Sequence, residues 1–232
     1  MDKWTGAVAA SIVVGLCLAT AAARGQERSV IVDLDPPQRT TTTYDPRDPP
    51  PQLPTVATPG AAGAADKAGV TVSDFSCTAV VNGQVIKQSA HAGVCVAGVR
   101  VDSVHITLGL KITEWVACTA GPKTLAHEDG HRMIAEHFYD RAQQRAEAIG
   151  RQLIGRDFFG SGANPAAAAT DALNVAARQI AERYMQHVRD PSQQVQDAYD
   201  RITSHGTNTA EELDAIEQAM REANQAPIAT DE

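Results

Sequence analysis

Three histidines and a glutamate lie close together in the stretch LAHEDGHRMIAEH, which runs from Leu125 to His137. His127 and His131 are four residues apart, so on a helix their side chains project from one face, about 40° from each other. Two imidazoles in this arrangement can bind one metal ion, and Glu128 lies beside them. The His-Glu-x-x-His pattern is typical of zinc hydrolases, in which the glutamate moves a proton from a zinc-activated water to the leaving amine.

A zinc hydrolase needs a third protein ligand, with the fourth position left for water. His137 has the outer spacing of the HExxHxxGxxH pattern, but Ile134 occupies the position of the glycine that turns the chain in that pattern. On a continuous helix His137 would point about 80° away from His127 and about 120° away from His131. We therefore do not predict His137 as a ligand.

Other candidates for the third ligand lie further along the chain. Glu147 or Glu182 would supply a carboxylate from a following helix, and His187 ends a predicted helix, where histidine is favoured for its charge alone. His205 is the better candidate, because it follows Ile202 by three residues at the end of the third predicted helix and shares its buried edge. We predict His205 as the third ligand.

The elements before this motif are predicted to be strands. The run from Ser29 to Leu34 favours a short strand, and short apolar runs follow from Val70. Apolar and polar residues alternate most regularly from Val104 to Ile112, which indicates a half-buried strand. Asn82-Gly83 between two runs predicts a tight hairpin. The first half of the folded region is therefore predicted to be a small antiparallel sheet.

Helix signals dominate the chain after Gly121-Pro122. Gly130, inside the first predicted helix, indicates that another backbone approaches closely there, and the third predicted helix is the expected neighbour. The helices are predicted from Pro122 to about Gly155, from Asn164-Pro165 through His187, from Asp190-Pro191 to Gly206, and from Thr209 to about Asn224, the last with a capping box completed by Glu212 and a stripe of Leu213, Ile216 and Met220.

The chain ends are predicted to lie outside the folded domain, which we place at residues 68–224. Residues 1–23 combine a charged start, an apolar run and a small-residue cleavage site, which predicts a signal peptide. The apolar run is shorter than a membrane span of about 20 residues, so we expect an exported protein, periplasmic or secreted, with no permanent membrane span. Residues 24–67 are rich in Pro, Thr and Ala and are predicted to be a disordered linker, and residues 225–232 a flexible tail.

Charge and cysteine content narrow the choice of partners and compartments. The formal net charge of −8 argues against a nucleic-acid partner or an anionic membrane surface. Cys77, Cys95 and Cys118 remain in the mature chain, which in an exported protein suggests one disulfide and one free thiol. The alternative is that all three are small buried side chains.

Two motifs carry a resemblance to a known family. HEDGH at residues 127–131, followed by AYDRITSHG at residues 198–206, resembles a bacterial family of secreted zinc-dependent proteases of otherwise unknown function. The family is similar in pairing an HExGH helix with a downstream YDxxTxHG segment, behind a sheet-forming part that often has a cysteine and a tryptophan. Cys95 and Trp115 are the residues that correspond here. The resemblance covers about residues 70–206 and is strongest at the two motifs.

The resemblance implies that the second motif completes the zinc site. It implies His205 as the third ligand, in agreement with the choice made from the helix pattern. It also implies that Tyr199 donates to a developing oxyanion and that Asp200 orients a ligand histidine.

The sequence as a whole predicts an α+β, zincin-like domain, in which a small antiparallel sheet precedes a helical half. One Zn²⁺ is predicted to be held by His127, His131 and His205, with Glu128 as general base and then acid, and Tyr199 in support. The predicted function is hydrolysis of peptide bonds in a peptide or protein substrate. Two alternatives stay open: a noncatalytic envelope binding module with a structural zinc or no metal, and a zinc amidase that acts on cell wall.

Overall fold

A computed structural model describes residues 28–54 and 68–225. The predicted signal peptide, residues 24–27 and 55–67 of the predicted linker, and residues 226–232 of the predicted tail lie outside the described residues. In chain order the elements are β1 (Ser29–Leu34), β2 (Gln38–Tyr44), β3 (Gly69–His91), β4 (Val94–Ala117), α1 (Pro122–Tyr139), α2 (Ala142–Leu153), β5 (Asp157–Gly162), α3 (Pro165–Tyr184), a π-helical segment (Met185–Arg189), α4 (Asp190–Thr203) and α5 (Glu212–Gln225).

The described residues form two compact units, and residues 68–224, predicted as one domain, contribute to both. One unit contains residues 28–35, 75–109 and 141–188, and the other contains residues 36–54, 68–74, 110–140 and 189–225. In the first, α2 packs against β1 and α3, and α3 packs against β5; in the second, α1, α4 and α5 pack against one another. No helix within the described ranges has the length and apolarity needed to cross a membrane.

The five strands form one mixed sheet in which β4 is the central strand. Both β1 and β2 pair with β4 in parallel, β5 pairs with it antiparallel, and β3 is its hairpin partner. The class of mixed helix and sheet is confirmed, but the prediction of a small antiparallel sheet is wrong. The parallel pairs arise because two strands from the part of the chain before residue 68 join β4, and only one of them was expected.

The unexpected strand is β2, which lies in the segment predicted to be a disordered linker. Its sequence QRTTTTY has four consecutive β-branched threonines, and this local preference outweighs the proline-rich surroundings. Tyr44 at its end is buried and clusters with Leu53 and Ala117, with Trp115 packed against them. The prediction of a disordered linker over residues 24–67 is therefore wrong for residues 38–54, and also for residues 29–34, which form β1.

The hairpin turn between β3 and β4 lies ten residues after the predicted one. Ala92 and Gly93 form it, both with positive φ (49° and 81°), as a two-residue hairpin loop of the type I′ family requires. The predicted Asn82-Gly83 turn is wrong, because β3 continues through both residues. A Cβ atom at Gly83 would lie 2.8 Å from Cγ1 of Val99, so this glycine allows close strand contact rather than a turn.

The alternation in β4 is confirmed, and it separates a buried face from a more exposed one. Val104, Ile106, Leu108, Leu110 and Ile112 are all buried. The intervening polar residues are partly or fully exposed. This face contributes apolar side chains to the core of each unit.

The starts of α1, α3 and α4 agree with the prediction, whereas α5 begins at Glu212, three residues after the predicted start at Thr209. α1 begins at Pro122 after the cap residue Gly121, and the side chain of Asn164 caps α3 by accepting from the amide of Ala167 at 2.9 Å, as expected from the Asn-Pro pair. The predicted first helix is in fact α1 and α2, which are separated at residues 140 and 141. The chain stays helical between α3 and α4 through the π-helical segment.

The core between α1, α4 and α5 is built from small and aromatic side chains. Ile134, Val195 and Tyr199 are buried there with Ala215 and Ala219 of α5. The predicted stripe of α5 is only partly confirmed: Ile216 and Met220 pack against this cluster, but Leu213 is 63% exposed because α5 begins at Glu212 and presents its alanines to the core.

Candidate metal centre

The two motif histidines of α1 face each other across one helical turn. His127 and His131 are both buried, their ring centroids are 4.8 Å apart and their Nε2 atoms are 3.3 Å apart. Glu128 is buried beside them. The i, i+4 spacing therefore produces the arrangement that the sequence predicts, with two imidazole nitrogens directed at one point.

A carboxylate from α4 faces both of these nitrogens. Oδ1 of Asp200 lies 3.2 Å from Nε2 of His127 and 3.1 Å from Nε2 of His131. Candidate ligand atoms of these three residues all lie within 4.8 Å of one another. With metal–ligand distances of about 2.0 to 2.2 Å, neighbouring ligands in a tetrahedral zinc site are about 3.3 Å apart, so this group fits a zinc ion.

His205, the predicted third ligand, lies next to this group rather than within it. Its Nδ1 atom is 3.3 Å from Oδ1 of Asp200, and its side chain is 46% exposed. It follows the end of α4 in a left-handed turn, where Ser204, His205 and Gly206 all have positive φ. The structure thus brings the HEDGH and AYDRITSHG segments together. Asp200, which was expected only to orient a ligand histidine, is itself in direct contact with both motif histidines.

The outward ring nitrogens of the two histidines also contact α4. Nδ1 of His131 lies 3.1 Å from Oε1 of Gln196, and Nδ1 of His127 lies 3.4 Å from Oγ1 of Thr203. Gln196 and Thr203 are both buried. Each imidazole therefore contacts Asp200 through one nitrogen and a neutral oxygen through the other, and a carboxylate oxygen of Glu212 lies further from Nδ1 of His127, at 4.0 Å.

Tyr199 packs against the motif helix and is fully buried. Its ring stacks on that of His127, with centroids 4.9 Å apart and planes 14° apart. Its hydroxyl donates to a carboxylate oxygen of Glu212 and, at 3.3 Å, to the carbonyl oxygen of His127. Burial and the nearby Glu212 carboxylate raise the pKa of Tyr199, so the hydroxyl stays protonated. These contacts assign it a packing position, and its role as oxyanion donor stays a prediction.

Gly130 is explained by the same tyrosine. A Cβ atom at this position would lie 2.6 Å from Cζ of Tyr199, which no real side chain tolerates. The close approach predicted for Gly130 is confirmed, with α4 as the neighbour, and the approaching group is an aromatic ring rather than backbone.

Glu128, the predicted general base, is held by a threonine of β3. Its Oε2 atom accepts a hydrogen bond of 2.7 Å from the hydroxyl of Thr71. Burial raises the pKa of Glu128, while the nearby His131 and the hydrogen bond from Thr71 oppose that rise. The result is a shielded carboxyl group with a higher proton affinity than an exposed glutamate, which suits a group that accepts and returns a proton.

The charge balance at the centre favours a cation. Burial opposes ionisation of Asp200, but hydrogen bonds from His127 and His131 outweigh it and hold the pKa of this carboxyl below its ordinary value. Burial also opposes protonation of His131, and Asp200 outweighs that effect, so the pKa of His131 is raised. A carboxylate that stays ionised between two imidazoles is a ligand set that can bind a divalent metal ion.

The other histidine and glutamate candidates lie elsewhere. His137 stacks edge-on with Phe138 and is not part of the His127–His131–Asp200 group, as expected. Glu147 pairs with Arg151 one turn further along α2. Glu182 and His187 are exposed and are also outside the group.

The three cysteines and Trp115 are not part of the His127–His131–Asp200 group. Cys77, Cys95 and Cys118 are free thiols, so the expected disulfide is not present among the described residues. Cys77 is buried and burial raises its pKa to about 12, whereas Cys118 is exposed. Trp115 packs in the small cluster around Tyr44.

Four residues of α4 at the centre share one helical face, and only two of them, Tyr199 and Asp200, were predicted to lie at the site. Gln196, Tyr199, Asp200 and Thr203 follow the i, i+3, i+4, i+7 spacing of a single stripe. That spacing was available from the sequence, and it would have indicated that Gln196 and Thr203 point the same way as Asp200. Thr71 had no such signal, because its contact with Glu128 joins residues 57 positions apart.

Two buried imidazoles that converge on a carboxylate, with a shielded glutamate beside them, define a candidate metal centre. Comparison with known protein families, with curated proteins and with solved structures finds no match to this chain.

Proposed function

We propose that this chain is an exported zinc-dependent metallopeptidase with a zincin-like catalytic helix. The observation that supports it most is the convergence of Nε2 of His127, Nε2 of His131 and Oδ1 of Asp200, at separations of 3.1 to 3.3 Å. These residues would hold zinc, and the predicted ligand His205 lies within reach of the same carboxylate. A bound zinc ion would supply a Lewis acid for the scissile carbonyl and would acidify a water molecule.

Glu128 moves the proton in this proposal. It accepts a proton from the attacking water and delivers it to the departing amine, and its burial favours this exchange because burial raises the proton affinity of the carboxyl group. Thr71 keeps the carboxyl group in place through its hydrogen bond of 2.7 Å. The substrate is a peptide or protein, and the amide bonds of cell-wall peptides are the closest chemical alternative.

Replacement of the proton-transfer group tests the proposal. Glu128→Gln should retain zinc, measured by elemental analysis, and lower kcat/KM by about 10²- to 10⁴-fold on a fluorogenic peptide library, a labelled protein and purified peptidoglycan. Glu147→Gln is the matched control, since this glutamate lies on the surface of α2 and pairs with Arg151. An unaltered chain that hydrolyses none of these, or a Glu128→Gln variant with full activity, would refute the mechanism.

The third ligand is tested in the same preparation. We expect Asp200→Ala to lose zinc, because its carboxylate faces both motif histidines, and His137→Ala to keep it. The sequence-based choice of His205 predicts that His205→Ala also loses zinc. Retention of zinc by His205→Ala would assign the third ligand to Asp200 alone.

A structural zinc site in a noncatalytic envelope module is the second candidate function. It is favoured by one observation: Asp200 and His205 are in contact at 3.3 Å, so a small movement of the half-exposed His205 ring would let both bind the ion held by His127 and His131. Four protein ligands would close the site to water and substrate. The absorption spectrum of the Co²⁺-substituted protein distinguishes the two, because an added small anion changes the spectrum of an open site and leaves that of a closed site unchanged.

A further inference from the structure

The outward nitrogen of each motif histidine meets an oxygen that can only accept its proton. Thr203 donates its hydroxyl hydrogen to the carbonyl oxygen of Tyr199 at 2.7 Å, one turn back on α4. Its remaining lone pairs therefore face Nδ1 of His127, at 3.4 Å. Oε1 of Gln196, an amide oxygen with no hydrogen, faces Nδ1 of His131 at 3.1 Å.

These contacts determine which nitrogen is left for a metal. An imidazole that donates from Nδ1 is either protonated on both nitrogens or neutral with its lone pair on Nε2. In both forms Nδ1 donates in the same direction, which keeps the ring in one orientation. The Nε2 atoms of His127 and His131 are the two that face Asp200.

The ring of His127 is also confined by its surroundings. Tyr199 stacks on it at 4.9 Å, and the backbone of Gly206 is so close that a Cβ atom there would lie 2.7 Å from the imidazole Cγ. Gly206 has a φ of 73°, in the left-handed region that glycine adopts without strain. The Thr-x-His-Gly part of the second motif therefore surrounds the first motif histidine with a hydroxyl acceptor and a residue without a side chain.

We propose that Thr203 and Gln196 are positioning residues of the metal centre, which hold His127 and His131 with Nδ1 protonated and Nε2 presented to the ion. This inference rests on the proposed zinc site, and it adds an outer layer of neutral acceptors, one for each histidine ligand. Acceptors of this kind orient metal-bound histidines and raise their basicity, and their loss commonly costs 10- to 100-fold in metal affinity.

Two pairs of substitutions separate the acceptor from the bulk of the side chain. Thr203→Val and Gln196→Met keep the approximate size and remove the acceptor, while Thr203→Ser and Gln196→Glu keep an oxygen in place. The measurement is the Kd for Zn²⁺ alone, obtained by competition with a chromophoric chelator, for the full chain. We expect the first pair to bind Zn²⁺ about 10- to 100-fold more weakly and the second pair to stay within about threefold of the unaltered chain.

Gln194→Leu is the matched control, since Gln194 is an exposed residue of the same helix and its replacement should leave the Kd unchanged. Circular dichroism and thermal unfolding of the zinc-free variants identify any that fail to fold. If Thr203→Val does not fold, the Gln196→Met and Gln196→Glu pair decides the question. The Co²⁺ spectrum gives a second readout, because a ring that is free to turn alters the ligand field.

The outcomes separate this inference from the proposed function. Zinc binding by the unaltered chain with an equal Kd for the folded acceptor-free variants would overturn the positioning role and leave the zinc site intact. No zinc binding by the unaltered chain would overturn both. Thr203→Ser and Gln196→Glu could bind Zn²⁺ as weakly as Thr203→Val and Gln196→Met. That result would show that packing rather than hydrogen bonding matters, and it would also refute the inference.

Discussion

Addition of one methyl group to the motif helix tests how α1 and α4 are packed. In Gly130→Ala the new Cβ would lie 2.6 Å from Cζ of Tyr199, about 1 Å inside normal contact. Tyr199 is fully buried, so its ring can move only by disturbing the core. Overpacking costs about 1 to 3 kcal/mol, and an overlap of this size with a fully buried ring belongs in the upper half of that range, while the better helix propensity of alanine returns about 1 kcal/mol. The net expectation is a loss of about 1 to 2 kcal/mol in the free energy of unfolding.

Thermal or urea unfolding in the presence of a chelator measures this loss without a contribution from bound metal. For a chain of this size the loss corresponds to a fall in Tm of roughly 3 to 8 °C. Gly121→Ala is the control, because a Cβ atom on this exposed residue, which directly precedes α1, would meet nothing within 4 Å. A Gly130→Ala variant as stable as the unaltered chain, or more stable, would refute the packing argument, because propensity alone favours alanine.

Two further predictions follow from the contacts of single side chains. Thr71→Val should lower kcat about tenfold without loss of zinc, because Glu128 loses the hydrogen bond of 2.7 Å that holds it in place. Thr71→Ser keeps the hydroxyl and should restore the rate. Equal rates for the two variants would contradict this prediction. In labelling with iodoacetamide at pH 8, Cys118 should react in the native protein and Cys77 only after unfolding. Burial raises the pKa of Cys77 to about 12, which leaves almost no thiolate, the reactive form. Labelling is followed by mass spectrometry of peptides, and early labelling of Cys77 would contradict its buried position.

Local signals in the sequence were sufficient for the start of α1 and for the alternation of β4. The start of α1 depends on Gly121-Pro122, and the buried face of β4 depends on a period of two, so both are properties of neighbouring residues. The pairing of β2 with β4 depends on contacts between residues about 70 positions apart, such as Thr41 with Glu114, and no local pattern encodes these. The expected hairpin at residues 82 and 83 failed for a related reason, since Asn-Gly is also compatible with a strand when a partner strand lies close.

The candidate metal centre also depends partly on local and partly on long-range contacts. The helix period places His127 and His131 together, but it cannot say which atom from a distant segment faces them. Both Asp200 and His205 belong to the second motif, and the left-handed turn that begins at Ser204 ends the helix between them. That turn leaves Asp200 on the buried stripe of α4 and carries His205 to a half-exposed position. The prediction favoured His205 because it continued the helical pattern to residue 205. The structure instead places Asp200, which is still on the helix, closest to the motif histidines.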